Sequence, residues 1–334
     1  MENSIMTRRT ALTVLGTVAL TGLGTGRTGA QPRPALDRVA RMIVGYPPGG
    51  PTDTIARLVA ERLRGAYAPQ VIIDNRAGAA GRLGVEAAKA AQPDGATMLM
   101  TPGTVLTIFP HVYQRTTRYD ALTDFVPVSP ICASPYAFVV RANHPARDPT
   151  GFAVWARQQG DAVPFASPAA GAGPHFFGVK MARNLGVQLT HVPYRGSAPA
   201  LQDLIAGQVP AVAVQVGDVA EFHRAGQVRI LAVSSAERLT SLRDVPTFAE
   251  LGQGDLTSDE WFGLLLPART PAPLVEGLHR AIVAAAGTPD LQEALARLEY
   301  RASTSSPEDF TRRIRTEREH WAPIVRESGF KPEE

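Results

Sequence analysis

Residues 41–63 read RMIVGYPPGGPTDTIARLVAERL, and how this stretch is divided decides the fold. Arg41 to Gly45 is an apolar run of strand length, and Ile55, Leu58, Val59 and Leu63 recur at helical spacing, which predicts a strand followed by a helix over Thr52 to Arg64. Between them, Pro47, Pro48 and Pro51 fix φ and remove donors, while Gly45, Gly49 and Gly50 leave room for close backbone approach. Thr52 and Asp53 are the expected N-cap residues. The first N–H groups of such a helix lack internal partners and are suited to an anion.

The same rhythm continues. Gln70 to Asp74 predicts a strand, Gly81 to Ala91 a helix and Ala96 to Met100 a strand, a βαβαβ start that implies a parallel sheet. A second series begins at Val163 to Ala166. It runs through a helix from His175 to Leu185, a strand from Leu189 to Val192, a helix from Pro199 to Ala206, a strand from Ala211 to Val216, a helix from Val219 to Ala225 and a strand from Arg229 to Ser234. The chain is therefore α/β with two lobes. Phe125 to Pro145, apolar with repeated proline, is the expected crossover strand or hinge. Pro246 to Pro273 is the expected return crossing, and Leu274 to Ser328 is helical, with Ser306 capping the last helix ahead of Pro307. The division is 31–134 plus 240–334 for one lobe and 135–239 for the other.

The first 30 residues carry a separate message. Arg8 and Arg9 precede a short apolar stretch from Ala11 to Leu23 and small residues up to Ala30, the pattern of an export signal, and the arginine pair favours the twin-arginine route. The apolar stretch is well short of the roughly 20 residues that a spanning helix needs. Cleavage after Ala30 removes Arg8, Arg9, Arg27 and Glu2, leaving 31 basic and 30 acidic residues. No basic block interleaved with aromatics is present, which argues against a nucleic-acid partner. Cys132 is the one cysteine, so an internal disulfide is excluded and a buried thiol is expected. A chain of this length is long for a single core.

The loops after the strands share a composition. They are Tyr46 to Asp53, Asn75 to Gly84, Thr101 to Thr104, Ser167 to His175, Pro193 to Pro199, and Gly217-Asp218, each offering small residues, hydroxyls and free N–H groups at a helix start. In open parallel sheets ligands bind at these carboxyl ends, and neutral donors with helix dipoles can hold a carboxylate without a full countercharge.

The segments YPPGGPTDTIARLVAERL, VIIDNRAGAAGRLG, PDGATMLM, HVPYRGSAPALQDLIAGQV and LAVSSAERLTSLRDVPTFAEL, in that order, resemble the periplasmic solute-binding receptors of the tripartite tricarboxylate transporter system, the Bug family. The resemblance covers nearly the whole chain after residue 30. It implies a type II periplasmic binding protein fold with two lobes, a hinge of two crossing segments and a ligand cleft. It also implies a small organic acid as ligand, membrane permease subunits as partners, a monomer, and neither enzymatic activity, metal nor cofactor. The ligand-facing positions it implies are Tyr46, Pro48, Gly49, Gly50, Thr52 and Asp53 in the first loop, and Gly78, Ala79, Ala80 and Gly81 in the second. Thr101 and Thr104 follow the third strand. Ser167, Gly171, Gly173, His175, Tyr194, Gly196 and Asp218 come from the second lobe, with Tyr46 or Tyr194 closing over the ligand. Many relatives carry a Ser or Thr where this chain has Pro174, so one hydroxyl donor of the family pattern is missing and the acid bound is left open.

Other chemistries have less support. Ser167, His175 and His191 could form a hydrolase set, but there is no Gly-x-Ser-x-Gly elbow and no spacing ties them. The seven histidines show no close metal-ligand spacing. Asp53 and Asp218 read as a helix cap and a loop hydrogen-bonding group. Arg82 reads as a surface charge, while Arg76 and Arg195 could each be a carboxylate fork or a surface residue. A sensor subunit that binds an acid and docks on a signalling partner is the second reading of function.

Overall fold

The computed structural model describes residues 35–332; the expected export signal lies outside them. In chain order the elements are β1 (Ala40–Val44), α1 (Pro51–Leu63), β2 (Val71–Asn75), α2 (Arg82–Lys89), β3 (Thr97–Pro102), α3 (Gly103–Thr107), α4 (Phe109–Val112) and β4 (Phe125–Arg141). There follow α5 (Pro149–Arg157), β5 (Val163–Ser167), α6 (Gly173–Asn184), β6 (Leu189–Pro193), α7 (Ser197–Ala206), β7 (Ala211–Gln215), α8 (Val216–Arg224) and β8 (Val228–Val233). The chain closes with β9 (Asp259–Pro267), α9 (Ala272–Ala286), α10 (Pro289–Ala296), β10 (Arg301–Ala302) and α11 (Pro307–Glu327).

The strands form one curled sheet in the order β2-β1-β3-β9-β4-β7-β5-β6, with β8 and β10 also pairing with β4. The first half is parallel from β2 through β1 to β3, and the second from β6 through β5 to β7. Each half is closed by antiparallel pairing to β9 or β4. As expected of parallel strands covered by helices, both faces are apolar, and the period of two sorts the side chains between them. Met42, Val44, Met98, Met100, Phe262 and Leu264 pack into one core, while Ile43, Leu99, Trp261 and Leu265 pack into the core on the opposite face. In the second half Val139, Val212 and Val214 face one core and Phe138, Val140 and Ala213 the other.

The expected crossover strand is β4, whose 17 residues serve both halves. Phe125 to Pro135 pair with β9, and from Tyr136 onward the strand pairs with β7 and β8. Proline cannot donate to a ladder. Pro127 and Pro130 stand where the β4–β9 register shifts, and Pro135 is the last residue before the change of partner. The missing donors therefore fall at bulges and at the handover, where the ladder is interrupted anyway.

Several sequence expectations need correction. Gly50, not Thr52 or Asp53, is the N-cap of α1, with Pro51 at the first helical position. The helix α8 starts at Val216 rather than Val219. The elements α3, α4 and α5 had no sequence assignment; two of them are five residues or shorter, too short for a periodicity to register. The span from Leu274 to Ser328, read as helical, is instead interrupted by β10, whose two residues pair with β4. The return crossing is β9 alone. Leu242 and Val245 pack in one core of the second half, and Phe248 and Leu256 in its other, so the chain leaves that half near Asp259 and not at residue 240. Ser306 does cap α11, its hydroxyl accepting from Asp309 N–H at 3.0 Å. Cys132 is buried and unpaired. No helix among the described residues is long and apolar enough to cross a membrane.

One contact brings α2 against the end of β1. A Cβ on Gly45 would lie 2.4 Å from the carbonyl oxygen of Gly81, and one on Gly84 would lie 2.5 Å from Gly45 Cα. Backbone meets backbone here, so no flexible side chain can give way. Gly45→Ala is expected to lower stability by about 1–3 kcal/mol, the usual cost of overpacking, read as an earlier urea midpoint with an unchanged slope.

Candidate functional site

The loop after β1 is built around one carboxylate. Asp53, 2% exposed, reaches back so that its Oδ2 accepts from Gly49 N–H at 2.9 Å and from Arg57 Nε at 2.8 Å. Its Oδ1 accepts from Arg57 Nη2 at 3.0 Å and from Asn75 Nδ2 at 2.9 Å, and the same amide donates to Tyr46 O at 3.0 Å. Burial works against the charge, but the bonds from Arg57, Gly49 and Asn75 outweigh it and lower the carboxyl to about 2. The positive end of α1 is thus already answered by the helix's own acid. Gly49, at φ +85°, needs to be glycine. Gly50 is extended at φ −77°, and Pro48 and Gly49 are exposed.

The second loop is strained. Gly78, Ala79, Ala80 and Gly81 have φ of +143°, +46°, +54° and +95°, and two consecutive alanines in the left-handed region cost roughly 1–3 kcal/mol each. What holds them is the packing of Gly81 on Gly45 and on the Tyr46 ring, 2.9 Å from where a Gly81 Cβ would stand. The Tyr46 hydroxyl donates to Ala80 O at 3.1 Å. Tyr46 is therefore anchored beneath the loop.

At the crossing of β4 and β9 the two halves meet around Glu260. Its Oε1 accepts from Thr104 N–H at 2.9 Å, and its Oε2 accepts from Thr104 Oγ1 at 2.5 Å and Tyr136 Oη at 3.0 Å. From the second half, Gly173 at the start of α6 packs so closely that a Cβ there would lie 2.0 Å from Tyr136 Oη and 3.2 Å from Glu260 Oε2. Burial raises the Glu260 pKa to about 7; the Thr104 and Tyr136 bonds oppose this and Glu317 adds to it. Ser134, paired opposite Glu260 in the ladder, has a buried hydroxyl without a partner among the described residues. Thr101 is buried on β3, opposite Gly263 of β9.

In the second half, Ser167 Oγ lies 2.7 Å from His191 Nε2 and 3.1 Å from Ala169 O. The His175 and His191 rings stack at 3.7 Å, and His175 Nδ1 accepts from Gly171 N–H at 3.1 Å. Burial lowers both imidazoles, His175 to about 3 with His191 adding to the effect, and His191 to about 4. The three residues that sequence spacing left apart are thus adjacent. Ser167, however, is 0% exposed, and among the described residues no carboxylate bonds to either ring, so the arrangement lacks the orienting acid of a triad. Tyr194 is held by Asp203 at 2.6 Å. Gly196, at φ +110°, donates to Pro168 O at 2.8 Å, and Ser197 Oγ donates to Asp218 Oδ2 at 2.5 Å. Burial raises the Asp218 pKa against the Ser197 bond.

The structure thus joins Tyr46 with the 78–81 loop, Thr104 with Gly173 through Glu260, and Ser167 with His175 through His191; Tyr194 and Gly196 are tied to the 167–168 loop by N–H bonds to Ser167 O and Pro168 O, and Asp218 is joined to Ser197. Sequence reasoning missed Glu260 and Tyr136; the signal available was the acid pair Asp259-Glu260 running straight into the apolar run WFGLLLP. Arg76 is exposed and paired with Asp74 at 3.0 Å, and Arg195 is exposed. Arg82, read as a surface charge, instead lies with its guanidinium carbon 3.8 Å from the Tyr113 ring centroid. Open grooves of about 800 Å³ along α1 and β2 and about 430 Å³ beside Asp53 lie on the outer edge of the first half. The polar groups converge at the Glu260 junction, so the candidate site is placed there. Among the described residues no three His, Cys, Asp or Glu side chains are set to hold a metal ion.

Residues 55–330 match the model of the tripartite tricarboxylate transporter family receptor. The chain belongs to this family. It is 31% identical to the protein BugT of Bordetella pertussis, over 88% of this chain and 90% of the other. Among solved structures it is similar to Rhodopseudomonas palustris Rpa4515 with adipate, at TM-score 0.75 and 30% identity over 89% of this chain and 99% of that one. It is also similar to R. palustris MatC with bound malate, at TM-score 0.70 and 28% identity over 86% and 99%. The receptor's two-lobed α/β sheet is that of periplasmic solute-binding proteins.

Two titrations test these environments. The Asp53 value lies below the 3.8 of the free side chain, so its stabilisation is present above pH 4 and lost as pH falls through 2. Asp53→Asn should cost on the order of 1–2 kcal/mol at pH 7, the gap closing near pH 2 in urea unfolding. Glu260 has the opposite sign. With a folded value of about 7 against 4.5, its contribution is full below pH 4.5 and lost as pH rises through 7. Wild-type stability is expected to decline between pH 5 and 8 more steeply than that of Glu260→Gln.

Proposed function

We propose that this receptor captures a small organic carboxylate in the periplasm, between the two halves of its sheet, and delivers it to the membrane subunits of a tripartite tricarboxylate-type transporter. The reading rests on one observation above all. Loops at the carboxyl ends of strands from both halves converge on a single buried junction, where Thr104, Tyr136, Glu260 and Gly173 meet at the two strands that link the halves. A ligand seated between such loops touches both halves and favours the closed arrangement over the open one. Family membership supports the receptor role, and the carboxylates held by the two R. palustris proteins support the ligand class.

The site has no part in turnover on this reading. His175 and His191 are both held neutral by burial, and Ser167 is enclosed. The family pattern of loops, with Thr104 and the 78–81 turn at strand ends, suits holding an acid and not activating a nucleophile against it. Export through the 1–30 segment delivers the receptor to the compartment this role requires.

A thermal-shift screen of residues 31–334 against organic acids, adipate and malate among them, tests the reading. An acid at 100 times its Kd is expected to add roughly 2.7 kcal/mol of stability, and the same acid should be recovered chemically unchanged by NMR after prolonged incubation. A flat screen counts against the receptor role, and conversion of the acid counts against the absence of catalysis.

A further inference from the structure

Arg82 is the first residue of α2 and follows directly on the strained 78–81 turn. Its guanidinium lies over the Tyr113 ring, and its Nη1 is shut off from solvent with no hydrogen-bond partner among the described residues. The other partly buried arginines are answered. Arg313 has Asp259 and Glu317, Arg318 has Asp120, and Arg229 has the carbonyls of Ala142, His144 and Ala146. A buried guanidinium N–H without an acceptor is costly, and such orphaned groups in native proteins point to something that completes them. The Tyr113 face offsets part of the cost through its quadrupole. It leaves Nη1, one donor of the fork that can bind a carboxylate, unanswered.

The surroundings lie on the side of the first half that meets the second. Tyr113 follows Val112, and Val112 Cγ1 lies 3.3 Å from where a Gly171 Cβ would stand in the second half. Tyr46 and Tyr113 pack against the same core. Burial raises the Tyr119 pKa, with Arg82 opposing and Tyr46 adding to it, so the three groups are within electrostatic reach of one another. Nearby, Thr117, whose N–H donates to Tyr113 O at 2.9 Å, has a second buried and unpartnered polar atom in its hydroxyl. Glu86, one turn further along α2, also acts on Tyr119, but among the described residues it makes no ion pair with Arg82, so a cation with an unanswered Nη1, a hydroxyl and aromatic walls are left to receive an anion.

We propose that Arg82 takes a carboxylate of the bound acid as its fork partner, which makes it the countercharge of the site. This rests on the receptor reading above. The strained turn then has a purpose: Gly78 to Gly81 sets the first turn of α2, and with it Arg82, against Tyr113 before any ligand arrives.

Calorimetry with adipate and malate on the wild type, Arg82→Gln and Arg82→Lys decides the matter, with melting curves as the check on folding. Arg82→Gln is expected to bind either acid roughly 10- to 100-fold more weakly, the range for losing a hydrogen-bonded charge. Arg82→Lys keeps the charge and the stem but not the planar fork, and is expected to lose roughly fivefold. Should Arg82→Gln fail to fold, Arg82→Lys decides alone. Wild-type affinity in the folded Gln variant, or in the Lys variant where Gln does not fold, overturns the assignment while leaving the receptor role standing. A wild type that binds neither acid overturns the receptor reading as stated, and the role of Arg82 falls with it.

Discussion

The backbone hydrogen bonds of β4 are the constraint on which the other features depend. Phe125 to Pro135 bond to β9, and Tyr136 to Arg141 bond to β7 and β8, so one strand is structural in both halves and neither half is complete without it. A strand that changes partners must leave a break in its ladder, and a break normally exposes unpaired donors. Pro127, Pro130 and Pro135 have no N–H to leave unpaired. What reads in isolation as a proline-rich crossing segment is a strand whose interruptions are placed at its bulges and at its handover.

The handover sets the position of Glu260. Its Cα partner across the ladder is Ser134, two residues before the partner changes at Tyr136, and this puts a carboxylate where α3 of the first half and α6 of the second both begin. Thr104 supplies an N–H and a hydroxyl, and Tyr136 supplies a phenol. These donors favour the ionised acid, yet burial dominates and leaves its pKa near neutrality. The junction is therefore bound together by hydrogen bonds to a group whose charge is only partly favoured, next to the loops that are candidates to hold an anionic ligand. The charge balance there differs from that at Asp53, where Arg57 and Asn75 make the ionised form secure and the carboxylate ties the end of β2 to the loop after β1.

Close backbone contact does for α2 what carboxylates do elsewhere. Gly45, Gly81 and Gly84 stack without side chains between them, and this approach holds Ala79 and Ala80 in a conformation they do not favour on their own. Strain of this kind persists only where surrounding packing over-determines it. Its location beside Tyr46 and Arg82, on the side of the sheet where strand ends open, agrees with a loop shaped by what it must present.

Much of this architecture was legible in the residues alone. The alternation of apolar runs with helical periodicity gave the βαβαβ start and the second α/β series, because burial on both faces of a parallel sheet demands it locally. Phe125 to Pro145 stood out as a crossing segment through its prolines, and the ordered set of Gly-rich loops carried the family. The site was less legible. The sequence pointed to Thr52 and Asp53 as caps, to Arg82 as a surface charge, and to Ser167 and His191 as unconnected. The cap was decided locally, by Gly50 and by the Asp53 bonds to Gly49 and Arg57 four positions away. The others turned on a neighbour far away in the chain: Tyr113 for Arg82, His191 for Ser167, and Thr104 for Glu260 across 156 positions. Local periodicity records which face of an element is buried. Which side chain a buried charge meets is set by strand order and register, and these exist only once the chain has folded.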